Sequence, residues 1–139
     1  MEHLAILSKQ SKLLAKILSG EKSIESRWYK FKKTPYQNIA AGDIIYFKES
    51  GEAVTAKASV SKVLFFDSLN ENKIRNIFQE YGRRLGVPAS YAEKVKGKKF
   101  CSLIFLSNVE EVEPFQINKK GYGMMSAWIT VDKIEKIRV

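Results

Sequence analysis

The chain has 139 residues, 45% of them hydrophobic, and carries 24 Lys or Arg against 15 Asp or Glu for a net charge of +9. That length reads as one domain, residues 1–139, with enough apolar content for a packed core. The one cysteine, Cys101, excludes an intramolecular disulfide, and the one histidine, His3, excludes a multi-histidine metal site and most histidine-based triads.

The first segment, Glu2 to Leu7, reads as a short apolar strand. Its run Leu4-Ala5-Ile6-Leu7 is followed at once by Lys9, Lys12 and Lys16, which is not a signal peptide, and no run reaches membrane-spanning length. A cytoplasmic protein without membrane contact is the expectation. Ser8 is placed as an N-cap, and Leu13, Leu14, Ile17 and Leu18 recur at helical spacing up to a stop at Gly20. From Ser23 to Phe31 the chain alternates, with Glu25, Arg27, Tyr29 and Phe31 on one face and Ile24, Ser26 and Trp28 on the other. Glu25 and Arg27 are therefore placed to form a charge-assisted pair. Lys22 has the opposite parity and joins them only if the turn redirects it. A basic, aromatic loop follows, Lys30-Phe31-Lys32-Lys33-Thr34-Pro35-Tyr36.

Gly42-Asp43 reads as a turn into the strand Ile44-Ile45-Tyr46-Phe47. After a second turn at Glu49–Glu52 comes the cleanest alternation in the chain. Val54, Ala56, Ala58 and Val60 point one way and Thr55, Lys57, Ser59 and Ser61 the other, continuing through Val63-Leu64-Phe65-Phe66. Small inward residues suit a tightly curved barrel wall. Ser68 or Asn70 can cap a helix with Ile74, Ile77, Phe78, Tyr81 and Leu85 on one stripe, and Ser90 to Lys96 reads as a shorter helix stopped by Gly97. Two further strands are expected, Phe100 to Leu106 and Val109 to Val112, then a glycine-marked basic loop at Asn118–Gly123. Ala127 to Val131 and Ile134 to Val139 are expected to finish the sheet. The pattern is α+β: a small mixed β-barrel with an N-terminal helix and a two-helix insertion packed on its side.

The charge is partitioned. Residues 1–40 carry +5 and residues 67–100 carry +4, while the remaining stretches balance to zero. A localised positive charge is the footprint of a polyanion binder, although it also serves solubility. Trp28, Tyr36, Tyr122 and Trp128 are candidates for stacking a base, or for ordinary core packing. Tyr36 and Tyr122 stand in basic loops, the latter beside Lys119 and Lys120, which adds these lysines to the candidate set. No phosphate-loop or dinucleotide-binding glycine pattern occurs, so no cofactor and no metal are expected.

The run Gly20-Glu21-Lys22-Ser23-Ile24-Glu25-Ser26-Arg27 matches the Gly-x-Lys-x-x-Glu-x-Arg signature of ASCH domains, the activating-signal-cointegrator homology family. The order of helix, signature, Gly-Asp turn and barrel strand resembles that family, and the closing Gly121-Tyr122-Gly123 and Ala127-Trp128-Ile129 resemble other PUA-like members. The resemblance implies a PUA-like barrel whose cleft is lined by Lys22, Glu25 and Arg27, and binding of RNA or a modified nucleotide. It also implies an alternative. Some small bacterial members are amidohydrolases of acylated nucleosides and others ribonucleases, in which Lys22 would be catalytic with Glu25, or Glu80, as its carboxylate. That amidohydrolase branch carries a threonine where this chain has Glu25.

Overall fold

The computed structural model describes residues 1–123 and 125–139. Six strands form one sheet: β1 (Glu2–Leu7), β2 (Ile24–Tyr29), β3 (Ile44–Glu49), β4 (Val54–Phe66), β5 (Phe100–Phe115) and β6 (Trp128–Val131). Their order is β2-β5-β4-β3-β1-β6, with the β1–β3 pair parallel and the others antiparallel. Helix α1 (Leu13–Ser19) follows β1, while α2 (Glu71–Leu85) and α3 (Tyr91–Lys94) lie between β4 and β5. The sheet curls, so its two edge strands come near one another across a seam. The expected small mixed α+β barrel with side-packed helices forms as a six-stranded half-barrel sheet with three α-helices among the described residues.

β4 is the long wall the alternation predicts. Val54, Ala56, Ala58 and Val60 are all buried, and their partners on the other face are half-buried or exposed. Ala5, Phe47, Ala56, Ala58, Val60, Ile104 and Trp128 pack together inside the curl. A second core lies on the opposite face of β2 and β5, where Ile24, Trp28, Leu103 and Phe105 meet Ile74, Ile77 and Leu85 of α2. Trp28 stacks on Phe78 at 5.6 Å between ring centres. Asn70 caps α2 by accepting from the Lys73 amide at 2.9 Å.

Four local expectations are corrected. α1 begins at Leu13, not after Ser8, because residues 9–12 carry no apolar side chain to bury, and Lys12 sits in the left-handed region at φ 55°. The two expected strands after residue 99 are one, β5, whose register shifts against β4 are taken up with Asn108 at φ 50°. The second helix of the insertion is one turn, Tyr91–Lys94, shorter than the 90–96 span. Residues 134–139 do not extend the sheet: Ile134–Lys136 is a 3-10 turn, which puts Ile134 and Ile137 together into a third apolar cluster with Leu4, Ile129 and Val131. Their spacing of three suits a helical turn rather than a strand.

Candidate functional site

The signature starts where α1 ends. Gly20 takes φ 86° and its amide closes the helix on the Ile17 carbonyl, and the Lys22 amide then bonds the Lys16 carbonyl at 2.9 Å. This turn redirects Lys22 inward, so the parity that separated it from Glu25 is overridden. Lys22 is 1% exposed and Glu25 2%. Lys22 Nζ donates to the Ile24 carbonyl at 2.7 Å and to the Leu85 carbonyl, and stands 3.3 Å from Glu25 Oε1. Three acceptors surround a group with three protons to give. Gly86, at the end of α2, makes this possible: with φ 71°, it lies where a Cβ would come within 2.7 Å of the Lys22 side chain.

Glu25 is equally occupied. Oε1 accepts from the Ser26 amide at 3.1 Å, and Oε2 accepts from Arg27 Nε at 3.3 Å and Nη2 at 2.9 Å. Arg27 then crosses the seam. Its Nη2 donates to the Ile6 carbonyl of β1 at 3.2 Å and its Nη1 to the Ala127 carbonyl before β6 at 3.3 Å. The guanidinium lies 5.1 Å from the Trp128 ring centre. The signature therefore satisfies the backbone on both sides of the gap, at Ile24 and Ser26 on β2 and at Ile6 and Ala127 opposite. Side chains do here what a seventh strand would do with its backbone.

The electrostatics follow from this burial. Desolvation pushes the Lys22 ammonium below its ordinary range, and the Glu25 charge only partly offsets it. Desolvation alone would raise the Glu25 carboxyl, but the fields of Lys22 and Arg27 outweigh it and hold the carboxylate below its usual value. Glu25 is thus the ionised centre of a buried cation–anion–cation triad.

Two clefts flank Arg27. The first, about 650 Å³, lies between β2, the start of α1 and the 86–98 segment; its walls include Glu25, Ser26, Arg27, Trp28, Tyr29 and Tyr91, with Lys16, Lys94 and Lys98 around it. The second, about 600 Å³, opens along the seam between Arg27 and Tyr29 on one side and Trp128 and Thr130 on the other, with Lys33 and Tyr122 at its mouth. The two basic stretches, remote in sequence, converge on the first cleft. Of the other residues there, Tyr29, Tyr91 and Ser26 were not singled out from the sequence as site residues; Tyr29 was legible as sharing the face of Glu25 and Arg27.

The candidates divide. Arg27 lines both clefts, Glu25 and Trp28 the first, Tyr122 and Trp128 the second. Lys22 lies behind Glu25 and lines neither. Tyr36 is corrected from a loop stacker to a core residue: it is buried edge-on between Phe65 and Phe100, so its ring is not free for a base. Glu80 lines a separate groove with Phe66, Lys73 and Tyr81, which Lys22 does not line, and it makes no ion pair with Lys22, whose carboxylate partner is Glu25. Lys119 donates to the Ser126 carbonyl at 2.8 Å, and Lys120 borders a shallow groove with Lys136 and Arg138.

His3 was set aside as a lone histidine, yet it is 0% exposed and fully partnered. Its Nε2 meets Asp43 Oδ2 at 2.8 Å, and its Nδ1 lies 2.9 Å from Thr130 Oγ1 and 3.1 Å from Trp128 Nε1. Asp43, read from sequence only as a turn residue, also accepts from the Ala40 amide at 3.1 Å. Among the described residues no cluster of three or more His, Cys, Asp or Glu side chains is placed to hold a metal ion, and no helix is long and apolar enough to cross a membrane.

No family model matches the sequence, and no curated protein matches it. Among solved structures, the fold is similar to the ASCH protein of Zymomonas mobilis, with a TM-score of 0.72 at 15% identity over 97% of this chain and 90% of that one. Two point mutants of that protein give the same TM-score of 0.72, at 15% and 16% identity and with 97% of this chain covered. The chain has the fold of that ASCH protein.

Proposed function

We propose that this domain binds RNA, holding an unpaired nucleotide in the first cleft. One observation carries the reading: Lys16, Lys94 and Lys98, drawn from the two basic stretches, surround a cleft whose single carboxylate, Glu25, is already neutralised by Lys22 and Arg27. A ligand entering meets net positive charge at the rim and aromatic surface at Tyr29 and Tyr91, with the buried Trp28 behind them. That combination suits a phosphate outside and a base within. Ser8, Ser11 and Ser26 are hydroxyls able to bond a ribose 2′-hydroxyl, which favours RNA over DNA. Lys22 and Glu25 act as positioning residues here, since their polar atoms are engaged, and Arg27 is the member of the signature that meets the ligand. The alternative, with Lys22 as a catalytic amine, requires Nζ to leave three acceptors and pass Glu25, so the arrangement favours anchoring.

The test is binding of short labelled single-stranded RNA and of matching DNA at low and moderate salt. Ser26→Phe fills the cleft, and the pair Lys94→Glu with Lys98→Glu reverses its rim. RNA preferred in the wild type, its preference lost in Ser26→Phe, and binding weakened at least about tenfold by the charge reversal is the expected result. Affinity untouched by all three changes would refute the cleft as the site.

A further inference from the structure

We propose that Thr130, His3 and Asp43 form a nucleophile–base–orienter relay at the second cleft, able to transfer an acyl group from an ester to Thr130 Oγ1 and then to water. The placement comes from the sheet. His3 and Thr130 are directly opposed on the antiparallel β1–β6 pair, so their side chains share one face, and the Gly42-Asp43 turn delivers Asp43 to the far side of the imidazole. The tautomer follows from the partners. Trp128 Nε1 can only donate, so Nδ1 carries the lone pair and Nε2 carries the proton, which it gives to Asp43 Oδ2 at 2.8 Å. The basic nitrogen therefore faces Thr130 Oγ1 at 2.9 Å, within the reach required of a general base and nucleophile. Asp43 is held in turn by the Ala40 amide and lies 3.4 Å from the N-terminal ammonium.

Access is from the second cleft, which Thr130 lines and His3 does not. That is the division a relay needs, with the nucleophile at the surface of the cavity and the base kept dry behind it. The cleft selects the acyl donor: Tyr29, Tyr122 and Trp128 offer aromatic surface and Arg27 and Lys33 offer cations, which fits an ester bearing an aromatic or anionic group.

The step balances without an added redox partner. The Thr130 Oγ1–H proton passes to His3 Nδ1 as Oγ1 bonds to the ester carbonyl carbon. The carbon–alkoxide bond then breaks and the leaving alcohol takes the proton from Nδ1. Water repeats the sequence, releasing the acid and restoring Thr130. Trp128 Nε1–H shares the Nδ1 lone pair in the resting state and must give way as Nδ1 is protonated, which slows the step but also keeps the tautomer fixed between turnovers.

A fluorophosphonate reagent tests this directly, because Oγ1 attack on phosphorus with loss of fluoride leaves a mass-detectable adduct. The full chain is incubated with reagent, digested and mapped by mass spectrometry, with circular dichroism as the folding control. The expected adduct is on Thr130, absent in Thr130→Val, retained in Thr130→Ser, and formed about 100-fold or more slowly in Asp43→Asn, which removes the carboxylate that stabilises the imidazolium formed as Nδ1 takes the proton. Labelling should rise with pH as His3, facing Asp43 and the N-terminal ammonium, loses its proton, and then level off. A wild type unlabelled at Thr130 while a serine hydrolase control reacts would overturn the relay. So would labelling indifferent to Asp43→Asn, because a hydroxyl that needs no oriented imidazole is not part of a relay. RNA binding in the first cleft plays no part in these readouts, so either idea can fail alone.

Discussion

The β3–β4–β5 wall and the seam close the same barrel by opposite means. Along the wall, backbone ladders run strand to strand, and the inward side chains are small and apolar: Ala56, Ala58 and Val60 against Phe47 and Ile104. Across the seam no ladder joins β2 to β1 or β6, and Lys22, Glu25 and Arg27 supply the missing hydrogen bonds. The wall gains from area removed from water, a term that is graded and insensitive to pH. The seam places three charges out of water, where the pairing offsets a large desolvation cost only while every member is present. A seam closed in this way leaves clefts on either side of Arg27, which a seventh strand would fill. The side-chain closure is thus what leaves room for the two clefts.

The largest expected effect comes from breaking the triad. Glu25→Ala leaves the Lys22 ammonium buried with only carbonyl partners, and should cost about 3–5 kcal/mol in urea-induced unfolding, against about 2 kcal/mol for Val60→Ala in the wall. Equal losses at the two positions would mean that the seam behaves as ordinary core. Gly86→Ala comes next. It forces a side chain onto φ 71° and into the Lys22 methylenes, for a loss of about 2–3 kcal/mol, and in a double-mutant cycle with Lys22→Ala that loss should shrink, because the Lys22 Cγ and Cδ that the new methyl meets are then gone.

Acid distinguishes the regions further. Glu25 has a folded pKa below its unfolded value, so its contribution is present above the unfolded carboxylate range near 4.3 and is lost as pH falls through the folded value. His3 is lowered too, chiefly by burial, so the folded state holds it neutral. Its contribution is full above about 6.5 and falls away as pH drops toward the folded value. Unfolding free energy measured from pH 7 to pH 3 should therefore decline in two stages in the wild type, the lower one reduced in Glu25→Gln, while Val60→Ala merely shifts the whole profile down. Asp43, also held low despite its desolvation by His3 and the Ala40 amide, still contributes to that lower stage in Glu25→Gln. The smallest effect belongs to the exposed Lys9–Glu52 pair: Lys9→Ala should leave the denaturation midpoint unchanged within error.

Local pattern carried much of the fold. The alternation of β4, the Asn70 cap and apolar stripe of α2, and the stop at Gly20 are near-neighbour properties, and each forms where the residues place it. The signature was legible as a charged cluster for the same reason. Its closing role was not, because Leu85 and Gly86 lie more than 60 residues from Lys22, and Ile6 and Ala127 belong to strands that approach β2 only after the sheet curls. Tyr36 failed as a stacking candidate because a basic loop predicts exposure while the ring folds back onto Phe65 and Phe100. His3 was passed over because one histidine has no partners in its own segment; Asp43 and Thr130 reach it through β-pairing.

By itself, then, the order of residues determined most of the strands and helices, where the positive charge resides, and that Glu25 and Arg27 share one face of a strand. These depend on periodicities of two and 3.6 residues and on turn chemistry, which act over a few positions. Only the tertiary structure decided that Lys22 is sealed behind Glu25, that Arg27 bridges the seam and splits it into two clefts, and that His3 has a base's surroundings. Those outcomes depend on desolvation and on hydrogen-bond partners supplied by distant strands, and neither exists until the sheet has closed.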